Sequence, residues 1–289
     1  TKSLVSTNSC RGVTLITERN SPIGSAAVRA HRTDTMEQPK DVGNIAEAFD
    51  HLADQWDDLC GPSSLIANEF HAHVAFLRRM CQRLGRPRVL DIGCGTGHHL
   101  IHLASWIAEG VGIDFAPRMI ERARANAVTA RIDHVRYAVA EASALDRKNL
   151  GRFDLALFIG TLEHVTQPAK ALKVARSALA KGGRIVVIMP HRANLFFFLR
   201  RLRQGGNGQI FTSGSLYDVG RLRCLAESSG LSVESVHPLH FSIDRPSEPS
   251  VPPFWRMIAA ILRHMPTAPT RGAFALVLRE GQEYPRAPP

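Results

Sequence analysis

Residues 89–100 read VLDIGCGTGHHL: an apolar run ending at an acid, three glycines at alternate positions, then the start of an amphipathic stretch. Gly93, Gly95 and Gly97 thus form G-x-G-x-G between an expected strand and an expected helix. Glycines there permit a tight turn, let a ligand approach the backbone, and leave the amides of the helix start aimed at it. A nucleotide-type ligand is implied.

Two acids narrow its chemistry. The dinucleotide fingerprint G-x-G-x-x-G needs a small residue at position 98, where this chain has His98. Asp91, two residues before the first glycine, would repel a pyrophosphate but can pair with or orient an ammonium group. Asp114 closes the next strand (GVGID, 110–114) and can accept both hydroxyls of a ribose. A ligand with a ribose, a positive amine and no phosphates is expected, and S-adenosylmethionine meets all three conditions.

Around this loop, apolar runs at 87–92, 109–113, 134–140, 153–159 and 184–189 alternate with amphipathic stretches near 97–108, 116–127 and 166–180. Such alternation predicts a parallel sheet covered by helices, with ligands at the strands' C-terminal edge. Upstream, Ile45, Ala48, Phe49, Leu52 and Trp56 fall near one helical face, and a second helix is expected from Pro62 to Leu84. Residues 1–40 lack a sustained period and read as a flexible extension to a domain over 41–289. Residues 191–214, with LFFFLRRLR and QGGNGQ, suit a lid over the site. A helix near 215–229, a strand near 231–243, a helix near 254–264 and a strand near 273–279 complete the reading.

The chain has 289 residues and a net charge of +10, and only six of its 36 basic residues are lysines. The arginines are spread through most segments, which reads as compositional bias rather than a nucleic-acid footprint. Five cysteines at 10, 60, 81, 94 and 224 show no Cys-x-x-Cys spacing, which argues against a disulfide framework or zinc knuckle. With no apolar run long enough to span a bilayer, a cytoplasmic location is expected.

Four stretches in order, VLDIGCGTG (89–97), GVGIDFAPRMIERAR (110–124), FDLALFIGTLEHV (153–165) and LAKGGRIVVIMP (179–190), resemble the class I S-adenosylmethionine-dependent methyltransferases. The resemblance implies a Rossmann-like α/β fold: a seven-stranded, mostly parallel sheet with helices on both faces and an antiparallel last strand, 273–279, inserted beside 231–243. It implies that Asp91 and the backbone of Gly93, Cys94, Gly95 and Gly97 hold the methionine part, and that Asp114 holds the ribose. Phe115 and Met119 would line the adenine, Glu141 would meet its amine, and Ile159 and Gly160 would pass beneath the methionine moiety.

Methyl transfer from a sulfonium is an in-line displacement, so the protein chiefly aligns donor and acceptor. A hydroxyl or amine acceptor must also lose a proton, for which His164 (in LEHV) and His191 are the candidate bases. LEHV resembles the ubiquinone-biosynthesis O-methyltransferases, whose metal site adds a glutamate three residues earlier. Gly160 stands there, leaving Glu163 and His164 alone, so no metal is expected. His98, His99 and His102 read as surface and packing residues. Trp56 falls where related enzymes often place a tyrosine over the cofactor.

The expected acceptor is a small molecule methylated at oxygen: a quinone, phenol, sugar or secondary metabolite. RNA or protein is the alternative acceptor, suggested by the charge and the basic clusters at 78–88 and 200–203. A third reading makes the chain a cofactor-binding fold used for interaction or membrane-surface docking, with LFFFLRRLR as its amphipathic anchor and a peripheral membrane contact. Oligomeric state is not legible in these residues.

Overall fold

The computed structural model describes residues 42–59, 67–144, 151–190, 217–239 and 273–281. The expected extension at 1–40, the lid at 191–214 with His191 and LFFFLRRLR, and the helix near 254–264 lie outside them.

Two helices come first: α1, Val42–Leu59, and α2, Ala67–Leu84. The alternating part follows as β1 (Arg88–Ile92), α3 (His98–Leu103), β2 (Glu109–Asp114), α4 (Pro117–Thr129), β3 (Val135–Val139), β4 (Phe153–Ile159), α5 (Pro168–Ala178) and β5 (Leu179–Pro190). Then come α6 (Val219–Ser228), β6 (Leu231–Leu239) and β7 (Ala273–Glu280). The strands make one seven-stranded sheet in the order β3-β2-β1-β4-β5-β7-β6. β1 to β5 pair in parallel, and β7 runs antiparallel between β5 and β6. The expected fold class is borne out, including the inserted last strand.

The central strands are uninterrupted apolar runs because both faces of the sheet are covered. Successive residues alternate between two cores. Leu90, Ile92, Phe158, Ile185 and Val187 pack with α5 and α6. Val89, Leu155, Leu157, Val186 and Ile188 face the opposite layer, formed by Leu77 of α2, Leu100 and Leu103 of α3, and Ile120 of α4.

The sequence misplaces the start of β5. The strand begins at Leu179, opposite Phe153, and the register then jumps so that Leu155 faces Arg184. Lys181, Gly182 and Gly183, which read as the loop ahead of a strand, lie within the resulting bulge. Among the described residues no helix is long and apolar enough to cross a membrane.

Gly112 in mid-strand β2 has a steric reason. A Cβ there would lie 2.5 Å from Cδ1 of Tyr137 and 2.9 Å from Sγ of Cys94. Gly112→Ala must displace a buried ring, and overpacking of this kind costs about 1–3 kcal/mol. A chemical-denaturation midpoint equal to that of the unmutated protein would contradict this packing.

Candidate functional site

The strand order reverses between β1 and β4, the position at which open α/β sheets leave a crevice beyond their carboxyl ends. Two turns meet there. Gly93 opens the loop after β1 with φ 76° and sits under Thr161, which follows β4. The Thr161 hydroxyl lies 3.3 Å from the Gly93 carbonyl and 3.1 Å from that of Ile159, both acceptors. A Cβ on Gly93 would come within 2.2 Å of Thr161 Cγ2, so only glycine fits.

The amides of the loop ahead of the helix are spent within the fold. Gly93 and Cys94 both donate to the Ile113 carbonyl (2.8 and 2.9 Å), and Gly95 donates to Asp114 Oδ2 at 2.9 Å. These bonds fold the loop back against β2 instead of aiming its amides at a ligand. Tyr137 donates from its hydroxyl to the Gly97 carbonyl (3.0 Å), fixing the loop's far end.

The two acids behave unlike one another. Asp114 accepts from Gly95 through one oxygen and from Ala116 (3.0 Å) through the other, which fixes the carboxylate's plane. A carboxylate oxygen can accept more than one hydrogen bond, so each retains capacity for a ribose hydroxyl. Burial still pushes this carboxyl above the usual range, against the backbone amides that lower it. Asp91 is 1% exposed, and neither of its oxygens has a hydrogen-bond partner among the described residues. Burial, with the charge of Asp114 adding, pushes it up to about 7. Orphaned buried oxygens are rare in folded proteins and ask for a donor that is not part of the fold.

Helix α1 roofs this edge. An added Cβ at Gly95 would lie 3.4 Å from the Trp56 indole nitrogen, so the indole stands over the loop as the sequence suggested. Phe49 meets Trp56, Phe115 and His164 edge-on, with centroids at 5.9, 6.1 and 5.4 Å. Three aspartates one turn apart hold the roof. Asp50 accepts from the Arg118 amide, Asp54 pairs with the Arg118 guanidinium (2.7 Å), and Asp57 pairs with Arg122 (2.6 Å) and His98 (2.8 Å). Burial raises the Asp57 carboxyl, but bonds from Arg122, His98, Thr96 and Asn126 outweigh it and hold the group low. His98 is therefore a tie between α3 and α1 as well as a packing residue. His99 is half-buried, its ring against those of Phe70 and His73.

A cleft of about 490 Å³, open solvent included, lies beneath the roof and is bounded by Asp114, Phe115, Glu141, Thr161 and His164. Burial pushes the His164 imidazole down to about 4, so it is neutral at pH 7, and its Nδ1 has no partner among the described residues. Glu163 is half-buried, with its Oε2 buried and unpartnered among the described residues, and that burial pushes it up to about 7. Among the described residues no cluster of three or more His, Cys, Asp or Glu side chains could hold a metal ion.

Glu163 carries a stability signature with a definite sign. A carboxyl near 7 in the folded state and near 4.3 unfolded binds its proton more tightly when folded, so its contribution is full below pH 4 and lost as pH rises through 7. Removing the charge by Glu163→Gln should flatten that loss. The variant should gain on the parent by about 1.4 kcal/mol per pH unit between pH 5 and 7. Urea denaturation across that range checks it, and parallel profiles for the two proteins would contradict it.

Of the sequence-expected cofactor residues, Gly93, Asp114, Phe115 and Glu141 line the cleft, and Asp91, Cys94, Gly95 and Gly97 form the strand end and loop beside it. Ile159 and Gly160 sit at the end of β4, where the Gly160 amide donates to the Ile188 carbonyl. Met119 is 1% exposed and packs with Ala53 and Ala116 beneath α1, so the structure places it in the roof's packing and not among the cleft residues. Thr161 and Phe49 went unrecognised as site residues. Phe49 carried a helical-period signal, whereas Thr161 depends on a contact 68 positions away.

Residues 86–213 match the family model described as "Methyltransferase domain". A ubiquinone biosynthesis O-methyltransferase of Albidiferax ferrireducens is 28% identical over 151 residues, which are 52% of this chain and 60% of the relative. The chain thus spans less than two thirds of that relative's length. Among solved structures, one chain from the complex of the Haloferax volcanii Trm112 methyltransferase activator with a methyltransferase aligns with a TM-score of 0.61 at 20% identity, covering 81% of this chain and 98% of that one. Magnesium protoporphyrin IX methyltransferase from Synechocystis PCC 6803 aligns with a TM-score of 0.57 at 15% identity, covering 82% and 99%. At these identities the structures establish the fold alone. The resemblance drawn from the four sequence stretches is borne out.

Proposed function

We propose that this chain, which carries a class I S-adenosylmethionine-dependent methyltransferase domain, methylates a small-molecule acceptor at oxygen. The observation that carries the reading is the pair of acids at the strand ends. Asp91 offers a carboxyl group with no hydrogen-bond partner among the described residues to an ammonium, and Asp114 offers two oriented oxygens to a ribose. The cofactor supplies a methyl group already activated on a sulfonium. The chain's own work is to hold, align and deprotonate.

His164 lines the cleft in its neutral form and is therefore able to take the acceptor's proton at pH 7. Ile45 and Phe115, with Phe49 packed behind the latter, supply apolar walls that keep water from competing for the methyl group. The relative's printed name, a ubiquinone biosynthesis O-methyltransferase, supports an oxygen acceptor on a small aromatic molecule.

Incubation with methyl-labelled cofactor and a metabolite extract should place label on a low-mass product. Label confined to macromolecules would overturn the small-molecule acceptor in favour of RNA or protein. His164→Ala should lower kcat by about a hundredfold, the usual worth of a general base. At saturating cofactor the acid limb of kcat should fall near pH 4 rather than 6.5. A limb near 6.5, or an unimpaired variant, would remove His164 from that role.

A further inference from the structure

Asp91 is the least satisfied acid of the site. Both of its oxygens are buried with no donor among the described residues, whereas Asp114 on the neighbouring strand receives amides from Gly95, Phe115 and Ala116. The Asp114 carboxylate from β2 acts on Asp91, and the charge of Asp91 in turn raises the Cys94 thiol of the loop and the Tyr137 phenol of β3. Opposite Asp91 on β4 is the apolar Leu157. None of these is a cation. A carboxylate that is dehydrated, undonated and beside a second acid is poorly stabilised as an anion. An ammonium arriving next to it reverses that balance.

We infer that Asp91 holds a proton before the cofactor arrives and gives it to solvent when the amino-acid arm of the cofactor binds, so that cofactor uptake is coupled to release of one proton. The O–H bond of the Asp91 carboxylic acid breaks, the buffer takes the proton, and the carboxylate left behind pairs with the ligand's ammonium. Burial, with Asp114's charge, holds this carboxyl near 7 before binding, which supports the same assignment. The inference rests on the site being the cofactor's, as proposed above. It adds that binding weakens in acid: with one proton displaced, the dissociation constant should rise about tenfold for each pH unit below 6.

The test is calorimetry at pH 6 in phosphate, MES and imidazole buffers, whose ionisation enthalpies differ. One probe is S-adenosylhomocysteine, which carries the ammonium. The other is 5′-methylthioadenosine, which keeps adenine and ribose but lacks the amino-acid arm. The expected result is close to one proton released with the first probe, none with the second, and none with the first in Asp91→Asn. Buffer-independent heat with S-adenosylhomocysteine overturns the inference while leaving the methyltransferase reading intact, as does equal release by both probes or persistent release in Asp91→Asn. Absence of binding by either probe overturns the methyltransferase reading itself. If Asp91→Asn does not fold, the two probes on the unmutated protein decide the matter alone.

Discussion

Asp114→Ala should weaken cofactor binding about a thousandfold. The side chain accepts the Gly95 and Ala116 amides at 2.9 and 3.0 Å, and in the proposed complex it also accepts two ribose hydroxyls. Hydrogen bonds to a charged group contribute about 1.5–3 kcal/mol each, so losing the two ligand bonds alone removes about 4 kcal/mol, a factor near a thousand. The loop then loses its tie to β2, which adds to the defect. Asparagine does not rescue it, since its amide group presents hydrogens where two donors already point. Equilibrium binding of S-adenosylhomocysteine is the measurement, and retention of affinity within about tenfold, roughly 1.4 kcal/mol, would show that Asp114 does not face the ribose.

Gly93→Ala is the second large effect, and it acts on the fold of the site. The residue sits at φ 76°, a region that costs a side-chain-bearing residue about 1–2 kcal/mol. Its new methyl would overlap Thr161, whose Cγ2 is 2.2 Å from the Cβ position. Overpacking adds about 1–3 kcal/mol, for a total near 4. The two contributions can be separated. Thr161→Gly in the same chain removes the overlap but not the backbone strain, so the double variant should recover about half of the lost stability relative to Thr161→Gly alone. Full additivity of the two substitutions in denaturant titrations would show that Gly93 and Thr161 do not touch.

The sheet was legible because its signals are local and repeated. Strands buried on both faces write themselves as unbroken apolar runs, and β1, β2 and β4 fall within a residue of where those runs lie. The two acids and three glycines were legible for the same reason, each being tied to a strand end. The start of β5 was not, because the Lys-Gly-Gly stretch looks like a turn and becomes a bulge only when β4 fixes the register. The destination of the loop amides was equally hidden. The glycines mark a turn, but that the Ile113 carbonyl at the adjacent strand end takes the Gly93 and Cys94 amides depends on how β1 and β2 pair.

The roof lies between these cases. Asp50, Asp54 and Asp57 on α1 match Arg118 and Arg122 on α4 in spacing, one turn against one turn, so the complementarity is written in the chain. Which helix it addressed required the fold. The orphaned oxygens of Asp91, Glu163 and the Nδ1 of His164 could not be read from sequence at all, since each is a statement about what fails to surround a group.

The most direct test of the account is to titrate the full chain calorimetrically with S-adenosylmethionine, NAD and ATP in parallel. One-site binding of the sulfonium compound, with no heat from either phosphate-bearing nucleotide, is the result the two acids require. Saturable binding of NAD or ATP, with none of S-adenosylmethionine, would contradict it.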